Sequence, residues 1–224
     1  MTQISGALGL LQLQNTPQTM LGSLTFSFPL ICRRIPDAWV KNVVYGAEDD
    51  TMESAFISAA KELVRVGAVA ITTNCGFAIK YQKAMARSLS VPVSTSSLLL
   101  LPYLLAAIKG RIGILTFDSR PLTFDLLKLA GVEVQDRIAV AGIENSDTWR
   151  MMSQPENNYT VSQLTKDVLG AIALMRKRHG NVQAILFECA AFPLVAQPVR
   201  EQTSLPVYDA VTNAKLLMSG VRDA

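Results

Sequence analysis

The sequence predicts an α/β protein built from two similar lobes, each a mostly parallel sheet flanked by helices. Three observations lead there. Short apolar runs alternate with amphipathic stretches along the whole chain, the pattern of strands joined by crossover helices. Two segments resemble each other as Gly-rich strand openings: GALGLL at 6–11 and GRIGIL at 110–115. Each half also carries a cysteine at the end of an apolar run, Cys75 and Cys189, and each cysteine lies 17 residues before a Pro-Val pair, Pro92-Val93 and Pro206-Val207.

The elements follow in order. Residues 4–13 read as a buried strand closed by Asn15 and Pro17, and 16–38, with Pro17, Gly22, Pro29 and Pro36, as a long loop. A strand is expected at 40–45. Asp49 and Asp50 suit the start of a helix reaching about Val66, with Gly67 as its stop. The Cys75 strand comes next, then a helix over 77–90, a short strand at Pro92-Val93 and an apolar helix over 97–108. Gly110 opens another strand. Pro121 suits the first turn of a helix that runs to Ala130 and ends at Gly131. Residues 132–140 are a weaker strand, and 142–159 are polar and loop-like. A strongly periodic helix spans 160–179, followed by the Cys189 strand from Val182, a helical segment to Thr203, a strand at 206–208 and a last helix over 209–219.

Composition narrows the function. Half the residues are hydrophobic and 17% are charged, which suits a large core and argues against disorder. The net charge of +3 is mild, and the one basic run, Arg176-Lys177-Arg178-His179, reads as a complement to a helix C-terminus rather than a nucleic-acid surface. Three cysteines without CxxC spacing argue against a disulfide framework or a structural zinc site, and suit a reducing cytoplasm. The first residues lack the basic region of a signal peptide. The longest apolar run, 98–108, carries Pro102 and falls short of the roughly 20 residues of a membrane span. Only one histidine is present, His179, at an expected helix end, so histidine-based acid–base or triad chemistry has little to work with.

The cysteines offer other chemistry. A thiol at a strand end, just before a helix, lies near backbone N–H groups that favour the thiolate and can hold a carboxylate or carbonyl oxygen. Ligands of open α/β sheets bind beyond the carboxyl ends of the strands. Two lobes facing across a cleft would bring Cys75 and Cys189 to its opposite walls. One thiolate could then remove a proton beside a carbonyl and the other thiol return one, a racemisation needing neither metal nor cofactor. Cys75 is flanked by Thr72, Thr73, Asn74 and Gly76, and Cys189 by Glu188. Cys32 reads as a structural thiol.

Around these residues the chain resembles the aspartate/glutamate/hydantoin racemase superfamily. The parallels are TTNCGF at 72–77, PVSTSSL at 92–98, GILTFDS at 113–119, FECAAFP at 187–193 and LPVYDAVT at 205–212. The resemblance implies two pseudo-symmetric lobes, residues 1–97 with the returning segment 206–224, and residues 98–205. It implies Cys75 and Cys189 as the acid–base pair, Asn74, Gly76 and Ala190 at the substrate carboxylate, Gln14 and Asn15 at the polar end of the first strand, and Thr116 and Ser119 at the equivalent end in the second lobe. No cofactor or metal is implied; the partners are a small-molecule substrate and a second copy of the chain, dimers being common in the family. Glutamate racemases usually carry Cys-Thr-His where this chain has Cys189-Ala190-Ala191, and Asp-Ser where it has Gln14-Asn15, which argues against glutamate itself. The leading expectation is a racemase or epimerase of a small amino acid, hydantoin or related carboxylate. A cysteine-dependent isomerase or decarboxylase of a dicarboxylate, of the maleate isomerase or arylmalonate decarboxylase type, is the alternative, and a non-catalytic ligand-binding protein is the third reading.

Overall fold

The structure is a computed structural model, and it describes residues 6–14, 28–46, 50–154 and 159–221. The chain divides into two compact units, Met1–Ser96 with Val211–Ala224, and Ser97–Ala210.

The first unit is a four-stranded parallel sheet in the order β2-β1-β3-β4, made of β1 (Ala7–Gln12), β2 (Leu30–Arg34), β3 (Ala68–Thr73) and β4 (Val93–Ser94). Parallel strands covered on both faces read as unbroken apolar runs, and every residue of β1 is buried. Helix α1 (Val40–Tyr45) and helix α2 (Asp50–Arg65) follow β2; Phe56, Ala60 and Leu63 of α2 are buried. Burying a side chain the size of Phe56 or Leu63 stabilises the fold by about 1.5–3 kcal/mol. After β3 a 3-10 helix, Gly76–Tyr81, leads into α3 (Gln82–Ser88), and the Tyr81 ring packs on Phe56 with centroids 4.5 Å apart.

The second unit repeats this plan. Its sheet has the order β6-β5-β7-β8, from β5 (Arg111–Thr116), β6 (Ile138–Gly142), β7 (Val182–Phe187) and β8 (Val207–Tyr208), again all parallel. A 3-10 helix, Ser97–Leu100, and α4 (Leu101–Ala107) precede β5; α5 (Phe124–Lys128), α6 (Asp147–Met152) and α7 (Val161–Arg178) connect the strands. A 3-10 helix, Phe192–Val195, and α8 (Ala196–Thr203) follow β7, and α9 (Ala210–Ser219) returns to the first unit. There the Ser94 hydroxyl donates to Asn213 Oδ1 at 2.9 Å.

The internal repeat extends to the register. Gly9 lies opposite Ile71 in one unit and Gly113 opposite Ile185 in the other. Both pairings are preceded by the same irregularity, between Ala7 and Leu8 and between Arg111 and Ile112. Ile71 in turn faces Val93, and Ile185 faces Val207. Cys75 follows Ile71 at the same distance along the chain as Cys189 follows Ile185.

Several expectations are corrected. Residues 40–45 form a helix, not a strand: Val40, Val43 and Val44 have helical spacing, and Val43 and Val44 are buried. The second strand, β2, lies inside the expected loop. It is a sheet edge whose last three residues are exposed, so it lacks a strand's apolar pattern. Residues 142–159 contain α6, started by the Ser146 hydroxyl accepting the Trp149 N–H at 3.0 Å. Residues 207–208, assigned to the first lobe from the sequence, pair with β7 in the second unit.

Candidate active site

In the first unit the thiol stands at the end of β3. The Thr72 hydroxyl donates to the Ser94 carbonyl at 2.8 Å and the Thr73 hydroxyl to the Thr95 carbonyl at 2.7 Å, which ties the strand end to the chain leaving β4. Gln82 braces the same segment: its Oε1 accepts the Thr95 N–H at 2.9 Å and its Nε2 donates to the Val93 carbonyl at 3.0 Å. Thr73 Oγ1 also accepts the Cys75 N–H at 3.3 Å. Cys75 is 9% exposed and stands immediately before the 3-10 helix, its carbonyl accepting the Ala78 N–H at 3.0 Å. Asn74 locks the strand ends: its N–H donates to the Leu11 carbonyl at 3.0 Å, and its Oδ1 accepts the Leu13 N–H at 2.9 Å.

The second unit reproduces the backbone of this device. The Glu188 N–H donates to the Leu115 carbonyl at 2.9 Å, and the Cys189 carbonyl accepts the Phe192 N–H at 3.1 Å. The side chains differ. Glu188 occupies the position of Asn74 and its Oε2 accepts the Thr116 hydroxyl at 2.7 Å. Its other oxygen, Oε1, is buried with no hydrogen-bond partner among the described residues. Burial pushes the Glu188 carboxyl up to about 7, against a smaller downward pull from Thr116. Tyr159 is close enough to Cys189 to feel its charge. Burial first, and Cys189 second, push the phenol up to about 12. Cys189 itself is partly exposed, and Ala190 and Ala191 behind it are buried.

The residues expected at the site fall into distinct places. Asn74 and Gly76 flank Cys75. Gln14 is half-buried at the end of β1, its N–H held by the Ala38 carbonyl at 2.8 Å. Asn15 lies outside the described residues. Ala190 adjoins Cys189, and Thr116 is fully buried, its hydroxyl donating to Glu188. Ser119 is engaged by Glu144, which accepts both its hydroxyl and, at 3.1 Å, its N–H. Cys32 is exposed on the edge strand β2, away from the strand ends that carry the other two thiols.

Three features escaped the sequence reading. Tyr159 fell in a supposed loop. The Glu188–Thr116 contact joins residues 72 positions apart. At the end of β5 the Asp118 carboxylate, fully buried, accepts from Arg120 Nε at 2.8 Å and from Nη2, and the guanidinium lies 5.5 Å from the Trp149 ring centre. The opposite charges of DSR at 118–120 were the available signal for that pair. Among the described residues no three His, Cys, Asp or Glu gather as metal ligands would, and no helix is long and apolar enough to cross a membrane.

Comparison with known proteins bears on this arrangement. No protein-family model matches the chain. It is 29% identical over 206 residues to a dimethylsulfoniopropionate lyase of Durusdinium sp. clade D, covering 89% of this chain and 68% of that protein. To dimethylsulfoniopropionate lyase 6 of Emiliania huxleyi (strain CCMP1516) it is 29% identical over 231 residues, covering 97% of this chain and 60% of the relative. The chain thus spans about three-fifths to two-thirds of the length of these relatives. Among solved structures, a mutant of arylmalonate decarboxylase in the sulfate ion associated form superposes with a TM-score of 0.64 at 15% identity, covering 97% of both chains. Allantoin racemase from Pseudomonas fluorescens gives 0.64 at 16%, covering 97% of this chain and 93% of that one. Picrophilus torridus aspartate racemase gives 0.60 at 14%, covering 97% and 96%. The chain therefore shares the α/β fold of these decarboxylase and racemase structures, the fold its motifs led us to expect.

Proposed function

We propose that this protein is a cysteine-dependent lyase that removes a proton beside the carboxylate of a small substrate and expels a leaving group from the next carbon, with dimethylsulfoniopropionate as the substrate to test first. The observation that carries the reading is the similarity to dimethylsulfoniopropionate lyases over nearly the whole chain, a span that includes both cysteines. The strand-end thiols support the same reading, because a thiolate is a suitable base for a carbon acid and backbone N–H groups beyond a strand end can stabilise the developing charge.

In the reaction we propose, Cys189 is the base, being the more exposed of the two strand-end thiols. Its thiolate takes a proton from the carbon next to the carboxylate. The electron pair left behind forms the carbon–carbon double bond as the carbon–sulfur bond breaks. Neutral dimethyl sulfide departs, propenoate remains, and the Cys189 thiol returns its proton to water.

The expected result is release of dimethyl sulfide into the headspace and of propenoate into solution when purified protein meets dimethylsulfoniopropionate. Cys189→Ser should lower the rate by about 10²–10⁴-fold, the range of a lost general base. A racemase or epimerase is the second reading, favoured by the twofold repetition of the thiol device: two matched thiols are what exchange of acid and base roles needs. Exchange of a Cα proton for deuterium on an amino acid or hydantoin, with no sulfide released, would establish that reading and end the lyase proposal.

A further inference from the structure

In the repeat, Glu188 is the one position at the thiol loops where an ionisable side chain replaces an amide. Its counterpart Asn74 uses a neutral side chain to hold a backbone N–H, at 2.9 Å from Leu13. Glu188 instead takes a hydroxyl from Thr116 with one oxygen, and its other oxygen is sealed without a partner among the described residues, in a residue only 2% exposed. A carboxylate in such a place has one hydrogen bond to offset the loss of its hydration, which is far too little. A neutral carboxylic acid costs far less there, since no charge is buried: one oxygen accepts from Thr116 and the other carries the proton.

Cys189 is next in the chain, and beyond it stands the neutral Tyr159 phenol. On the neighbouring strand ends, Asp118 after β5 is paired with Arg120, and Asp209 after β8 is buried. Cys189 is the titratable group nearest to Glu188 along the chain.

We propose that Glu188 is a positioning residue that acts as a neutral acid: while protonated it leaves Cys189 able to carry the thiolate, and once ionised it suppresses that thiolate. The proposal rests on reading Cys189 as a reactive thiol, but not on the identity of the substrate. The balance tips near neutral pH, since burial sets the Glu188 carboxyl at about 7. Charge repulsion between neighbouring groups moves a titration by about one unit.

The test is the rate at which iodoacetamide alkylates Cys189 in the intact protein, read by peptide mass spectrometry, with Cys75 in the same samples as the internal reference. Glu188→Gln keeps the length of the side chain and cannot ionise. We expect equal Cys189 rates for parent and variant at pH 6, and a variant about three- to tenfold faster at pH 8. Thr116→Val removes the one bond that stabilises the carboxylate, so the parent's alkaline slowing should set in at higher pH; this variant carries the test if the glutamine protein does not fold. Equal rates at both pH values, or one constant ratio at both, overturns the proposal, as does a Thr116→Val profile that stays in place or moves to lower pH. Sulfide release is assayed separately: its absence beside the expected alkylation pattern would sink the lyase reading alone.

Discussion

At the scale of single residues, Glu188 has a consequence for stability as well as for reactivity. Its folded carboxyl titrates at about 7 against an ordinary value of 4.5. Between those values the folded protein keeps a proton that the unfolded chain has lost. The stabilising contribution is therefore fully present below pH 4.5 and is lost as pH rises to about 7, an effect of about 3 kcal/mol at most. Urea unfolding at pH 5 and pH 8 should show the parent losing stability across this window, and Glu188→Gln should flatten that decline. If the two proteins lose stability equally, Glu188 does not titrate there. The sequence showed Glu188 beside its cysteine but could not reveal its state, because that state depends on burial and on Thr116, 72 residues away. Cys75 and Cys189 were legible for the opposite reason: each stands at the end of a local apolar run, a pattern that needs no tertiary contact to be seen.

At the scale of elements, the central strands were legible because both faces are buried and the runs are continuous. The edge strand β2 and the short helices α1 and α6 were not, since their residues answer to one neighbour each and carry mixed polarity. The paired glycines of β1 and β5 show how closely a helix packs on each sheet. A Cβ on Gly9 would lie 2.6 Å from Ile71 Cδ1, 3.0 Å from Ala68 Cβ and 3.2 Å from Leu63 Cδ1. A Cβ on Gly113 would meet the end of the Met175 side chain, with its sulfur 3.1 Å away. Methionine has three flexible torsions and can move aside, whereas Ala68 Cβ moves only with its backbone. Gly9→Ala should cost about 1–3 kcal/mol, the usual range for overpacking, and Gly113→Ala clearly less. Chemical denaturation of the two variants checks this, and an equal or reversed order would show that the helices do not sit on the strands as described.

At the scale of the whole molecule, the two units share a backbone plan and differ in their side chains. Strand order, register and the hydrogen bonds entering each thiol loop are shared. The neighbours of the thiols are not: Asn74 precedes one, and a buried acid precedes the other, with a phenol close by. This divergence bears on the choice between the two readings of function. A racemase working in both directions uses each thiol in turn as acid and as base, so losing either stops the reaction. An elimination needs one base, and a second thiol need take no part in the proton transfer. On the lyase reading the two substitutions should therefore be unequal. Cys189→Ser should remove at least about 10²-fold of the sulfide-releasing rate. Cys75→Ser should cost about tenfold at most. Steady-state kinetics of both variants on dimethylsulfoniopropionate decides the matter. Equal and near-complete loss in both would mean that the symmetry of the backbone extends to the chemistry, and that the single-base elimination is wrong.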